Sequence, residues 1–152
     1  MVKRLKRLDL SGNMKVAPFT LWKLVFLEQL DISCNPHIRD VSHLTELRTL
    51  NASGVPPHLC RLTQDGLKGL NKLTHLNISS NPYIDDLNHL KQLREVVISF
   101  GCRVGPEGIS RLNRLVKLDA TCNFRFNSIP KLPQLSHIRH RGITCPGVSL
   151  VS

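Results

Sequence analysis

Apolar residues recur along this chain in one short pattern, L-x-x-L-x-L/I-x-x-N, whose intervening positions are mostly polar. It starts at Leu5, Leu27, Leu47, Leu73, Leu93, Leu115 and Leu135, at spacings of 22, 20, 26, 20, 22 and 20 residues. The last two apolar positions are two residues apart. On an extended segment they point to one face, and the residue between them points to the other. One such segment cannot bury its own leucines. Segments repeated at this period do so by stacking in parallel, about 4.8 Å apart, around a shared interior.

A longer period lies over the short one. Residues 27–47 (LEQLDISCNPHIRDVSHLTEL) and 73–93 (LTHLNISSNPYIDDLNHLKQL) are identical at 11 of 21 positions without a gap, and 115–135 (LVKLDATCNFRFNSIPKLPQL) is a more degraded copy. These coils carry Asn35, Asn81 and Asn123 at the turn. The coils between them carry Gly54 or Phe100-Gly101, then run CRLTQDGLKGLNKL or CRVGPEGISRLNRL. The unit is therefore a pair of coils, 46 and then 42 residues long. The asparagines are expected to hydrogen-bond backbone of the neighbouring coil. Coils without one need a longer return. Asp65 and Glu107 stand at the start of returns with apolar residues three apart (Leu67 and Leu70; Ile109 and Leu112), which predicts one or two helical turns. The returns of the asparagine coils, such as HIRDVSHL, are predicted tighter, 3₁₀ or extended. Pro36, Pro82, Pro106 and Pro130 fall in connections, where no ladder donor is lost. The first coil, ending in Asn13, has a longer connection with Phe19, Leu21, Trp22 and Leu24, and the seventh stops just after its return begins, at CPGVSLVS.

The motif resembles the leucine-rich repeat, and its matches cover almost the whole chain. The resemblance implies an α/β solenoid: one domain, residues 1–152, of about seven coils in a horseshoe arc. The parallel sheet would line the concave face, with short helical or 3₁₀ returns on the convex face. It also implies a non-enzymatic module that binds other proteins. The pair period, with NP-x-I-x-D followed by HL and then C…G-[LI], is similar to leucine-rich-repeat proteins of amoeba-infecting large DNA viruses, which implies a viral protein.

Five cysteines, an odd number, occur without a signal peptide or transmembrane run, which points to a reducing, intracellular location, cytoplasmic or nuclear. The basic start MVKRLKRLDL enters the first repeat at Leu5. Cys60 and Cys102 hold equivalent places two coils apart, roughly 10 Å at strand spacing. A disulfide needs Cα atoms within about 7 Å. Cys34 and Cys122 share a column four coils apart, and Cys102 and Cys122 lie in different columns of adjacent coils. The expectation is free thiols in or near the core, Cys145 included.

The net charge of +10 admits a polyanionic partner such as nucleic acid, bound weakly and nonspecifically. The bases are scattered, however, and aromatic residues are too few for base stacking. No catalytic or metal constellation appears: no G-x-S-x-G, P-loop or C-x-x-C occurs, and His43 and His89 are one position in two copies. No enzyme activity, cofactor or membrane insertion is expected.

What remains is the outward sheet face. Its first column is Arg7, Gln29, Thr49, His75, Glu95, Lys117, His137, and its second is Asp9, Asp31, Asn51, Asn77, Val97, Asp119, Arg139. The candidate partner-binding residues are all of these except Asp9. A third column, Ser11, Ser33, Ser53, Ser79, Ser99, Thr121 and Arg141, is nearly constant and reads as structural. The first column varies from coil to coil on a constant core, as recognition requires. Its mixed charges suit a protein better than a uniform polyanion, and Val97 with Phe100 offers an apolar anchor. Neither terminal coil has a cap, and His140 places a polar group in the last coil's core row. That leaves a structural alternative, a virion or complex component assembling, or self-associating, through open solenoid ends.

Overall fold

The alternation of outward polar and inward apolar residues produces seven short strands: β1 (Arg7–Asp9), β2 (Gln29–Asp31), β3 (Thr49–Asn51), β4 (His75–Asn77), β5 (Glu95–Val97), β6 (Lys117–Asp119) and β7 (His137–Arg139). The structure is a computed structural model, described over residues 4–140. The strands form one sheet in chain order, every pair parallel. The register is constant, so that Leu8, Leu30, Leu50, Leu76, Val96, Leu118 and Ile138 stand in one row. This is a leucine-rich-repeat solenoid, with the sheet on its concave side.

The row behind the sheet is the core. Leu30, Leu50, Leu76, Val96 and Leu118 are buried together with the coil-opening Leu27, Leu47, Leu73, Leu93 and Leu115. Each such side chain contributes about 1.5–3 kcal/mol by leaving water. Leu8 and Leu10 are only half-buried, and Ile138 is 39% exposed, so the two ends of the stack are open among the described residues.

The two coil types close their turns differently. In the asparagine coils the side chain is a buried plug. Asn81 Oδ1 accepts from the Tyr83 N–H at 2.8 Å, and its Nδ2 donates to the Leu62 carbonyl of the preceding coil at 3.0 Å. Asn35 does the same with His37 and Asn13, and Asn123 with Arg125, Ile98 and Val104. Their returns are extended segments with bends and turns. The other coils carry 3₁₀ turns: η1 (Pro18–Leu21), η2 (Asp65–Leu67) and η3 (Glu107–Ile109). Gly66 and Gly108 press against the preceding coil, where a Cβ would sit 2.4 Å from the Arg39 carbonyl and 2.2 Å from that of Asp85. Val41 and Leu87 in turn donate to the Gly66 and Gly108 carbonyls. The glycines stitch the two members of each pair together. His43 and His89 bond the Leu21 and Leu67 carbonyls, at 3.2 and 3.3 Å, and so tie a return to the 3₁₀ turn before it.

One expectation changes. Cys122 is disulfide-bonded, against the expectation that all the thiols are free; Cys34, Cys60 and Cys102 are free. The column argument compared only cysteines at fixed positions of the coils. Cys145 and the return at CPGVSLVS lie outside the described residues, as does Arg141. His140, in the last coil's core row, is half-buried; its Nε2 lies 2.7 Å from the Phe126 carbonyl, and its ring meets Phe126 edge-on at 5.7 Å.

Candidate binding face

All thirteen candidate residues fall on strands and share the outward side of the sheet, because the constant register lifts each two-residue period into a column. The two columns nevertheless do different work. In the second, Asp31 Oδ1 accepts from the Ser33 N–H at 2.8 Å, Asn51 from Ser53 at 3.2 Å, Asn77 from Ser79 at 3.0 Å and Asp119 from Thr121 at 3.0 Å. Asp9 accepts from the Ser11 N–H at 2.8 Å in the same way. These side chains close the strands with local turns. Asn51 also donates to Asp31 Oδ2 at 2.8 Å across the strands. One oxygen of each is thus engaged by its own backbone. The signal was present in the sequence as a recurring D/N-x-S/T.

Val97 breaks this column. Without a carboxylate or amide there, Ser99 turns its hydroxyl to Asp119 Oδ1 at 2.9 Å and is buried. Burial pushes the Asp119 carboxyl up. Hydrogen bonds from the Thr121 N–H and hydroxyl and from Ser99, with the Arg139 charge, outweigh it and hold the pKa below its ordinary value.

The first column is freer. Arg7, Gln29, His75, Lys117 and His137 are exposed, and Thr49 and Glu95 half-exposed. Glu95 sits between Lys117 Nζ at 2.8 Å and His75 Nε2 at 3.6 Å. The Lys117 hydrogen bond chiefly holds its carboxyl below the usual range, with the Lys117 and His75 charges assisting. His75 and His137 each keep Nδ1 on the preceding hydroxyl, Thr74 at 2.8 Å and Ser136 at 2.9 Å, which leaves Nε2 outward.

The anchor region is larger than Val97 and Phe100. The third coil is longer than the other coils, and its extra residues form a small loop closed by the Val55–His58 bridge. The loop presents Val55, 65% exposed, opposite Phe100, 56% exposed. Together with Val97, Ser79 and Ser99 they line a hollow of about 720 Å³ beside the third column. Val55 was not foreseen: the longer spacing showed an insertion but not which side it takes. A second hollow of about 570 Å³ lies over β5–β7, between Glu95, Lys117, His137 and Arg139. Among the described residues no group of three histidine, cysteine or acidic side chains is placed to hold a metal ion. No helix there is long and apolar enough to cross a membrane.

Comparison with known proteins agrees with this geometry. A family model described as a leucine-rich repeat matches residues 69–87, which span the end of a glycine-coil return and the whole of β4. No curated protein is significantly similar in sequence. Among solved structures, the functional domain of InlJ from Listeria monocytogenes, which includes a cysteine ladder, superposes with a TM-score of 0.64 at 24% identity, covering 91% of this chain and 30% of that one. The internalin InlF of the same species superposes with a TM-score of 0.54 at 24% identity over 88% of this chain and 47% of that one. Internalin C2 gives a TM-score of 0.51 at 22% identity over 90% and 71%. The chain thus spans less than half the length of the first two. At such identities the likeness is one of fold, and it lends the resemblance to viral repeat proteins no support.

Proposed function

We propose that this chain is a non-enzymatic protein-binding module that takes its partner on the concave sheet. The observation that carries the reading is the hollow walled by Val55, Val97 and Phe100 beside a first column whose side chains change from coil to coil. An exposed aliphatic and aromatic set in a concavity is an anchor site. The Glu95–Lys117–His75 cluster next to it offers both signs of charge, which fixes register. Arg7, Gln29, Thr49, His137 and Arg139 extend the contact along the strands, while Asp31, Asn51, Asn77 and Asp119 hold the strand ends in shape. The free cysteines support an intracellular site less than the sequence did, since Cys122 is disulfide-bonded.

The test is a selection of binding peptides from a displayed random library on the intact chain. The selected binders are then measured against Phe100→Ala and, as an exposed aromatic off the sheet face, Phe124→Ala. Loss of an anchor contact is expected to weaken binding at least about tenfold for Phe100→Ala and not for Phe124→Ala. Binders indifferent to Phe100, Val55 and Glu95, or governed only by salt, would move the reading to polyanion binding through the basic surface.

A further inference from the structure

The returns of the first, third and fifth coils are equivalent, and aligning them on Leu27, Leu73 and Leu115 exposes a contrast. The inward positions agree: Leu21, Leu67 and Ile109; Leu24, Leu70 and Leu112. The outward positions do not. Where the third and fifth coils have Asp65 and Glu107, the first has Phe19. Lys68 and Ser110 are matched by Trp22, Asn71 and Asn113 by Val25, and Lys72 and Arg114 by Phe26. In the third coil two of these positions form the Asp65–Lys68 ion pair at 2.6 Å, and Lys72 binds Glu46 at 2.6 Å. In the first, Phe19 and Trp22 are each 69% exposed, Phe26 45% and Val25 42%. Four apolar side chains therefore stand in water on one turn of a return whose fellows are polar at every one of these places.

The unpaired charges around them are basic. The Arg4 guanidinium lies over the Phe26 ring, 5.2 Å from its centre. Lys15 and Lys23 bracket the return in sequence. The acids of this region are already paired, Glu28 with Lys6 at 2.7 Å and Glu46 with Lys72 at 2.6 Å. We infer that this return is a peripheral docking surface for an anionic phospholipid membrane. Aromatic side chains with basic neighbours suit the headgroup boundary, where rings enter the acyl edge and cations meet phosphates. The patch lies on a return, off the sheet face, with its rings exposed. A fluid bilayer receives such protrusions, whereas a protein partner must supply a matching pocket. A second copy would set the same cations against themselves across a two-fold contact. Docking here leaves the concave sheet free.

Trp22 is the only tryptophan, so its emission reports this surface directly. Intact protein is mixed with phosphatidylcholine vesicles, with and without phosphatidylserine, and followed by Trp22 emission and co-sedimentation. The expected result is a blue shift and pelleting with phosphatidylserine vesicles, weakened by salt. Lys15→Gln with Lys23→Gln is expected to lower partitioning about thirtyfold. Phe19→Ser with Phe26→Ser should abolish it without changing the far-ultraviolet circular dichroism, and Phe124→Ser should leave it intact. The inference is overturned if no shift or pelleting occurs, or if neutral vesicles bind equally. It is also overturned if Trp22 shifts with protein concentration alone, which would assign the surface to a second copy. Binding that persists in the Phe19/Phe26 variant would overturn it as well.

Discussion

The asparagine coils and the glycine coils build the same strand and finish it in opposite ways. Around Asn81 the turn is held by a side chain that enters the core and satisfies two backbone groups at once, one in its own coil and one in the coil before. Around Gly66 and Gly108 it is held by the lack of a side chain, which lets backbone meet backbone. The first solution is compact, and its coils are all 20 residues long. The second needs a longer return and leaves outward positions on it free to differ, as Lys68 and Ser110 do. The alternation thus divides labour: asparagine coils of 20 residues fix the spacing, while the coils with longer returns carry the departures, namely the Val55 loop, Val97 with Phe100, and the aromatic return of the first coil.

That division can be broken at each end. The largest effect is expected at the plug. Asn81→Ala strands the buried Leu62 carbonyl and the Tyr83 N–H, and should cost about 2–4 kcal/mol in chemical denaturation. Next comes the stitch: Gly108→Ala drives a methyl into the Asp85 carbonyl and should cost about 1–3 kcal/mol, while the same change at Gly105, whose nearest neighbour is 3.5 Å away, should cost less. A third effect is gated by pH. Burial pushes the Cys60 and Cys102 thiols, both in glycine coils, up to about 11 from 9.0. The unfolded chain ionises first, so their contribution is complete below about pH 9 and is lost as pH rises towards 11. Urea midpoints should fall over that window, less so in a Cys60→Ala, Cys102→Ala variant. At neutral pH the half-buried Cys34 should react with a thiol reagent before either of them. The smallest effect has the opposite sign. Ser80 occupies the left-handed region at φ 59°, as Gly12 does at 63° in the first coil. Ser80→Gly should stabilise by up to about 1 kcal/mol in the same titration.

The strands and their columns were legible because a two-residue period inside a 20-residue period leaves one register that buries every leucine. Helical turns at Asp65 and Glu107 were legible from an acid ahead of apolar residues three apart, but not that they are 3₁₀. The local turn bonds of Asp31, Asn51, Asn77 and Asp119 were not read from the sequence. A column of outward polar residues reads alike whether it faces a partner or folds back on its own backbone. The outer column Arg4, Phe26, Glu46, Lys72, Gln92 and Arg114 was also missed. Its contacts (Arg4 on Phe26, Lys72 on Glu46, Arg114 on Gln92) join residues 20-odd positions apart that only stacking brings together. Cys122 shows the limit of column geometry, since a disulfide need not respect the coil period.

The most direct test of the binding face is amide hydrogen exchange with and without a peptide selected on the intact chain. Protection is predicted at residues 53–55 and 95–100, around Val55, Val97 and Phe100, with the returns at 65–70 and 107–112 unchanged. Protection confined to those returns or to the ends of the solenoid, with the sheet exchanging as before, would contradict it.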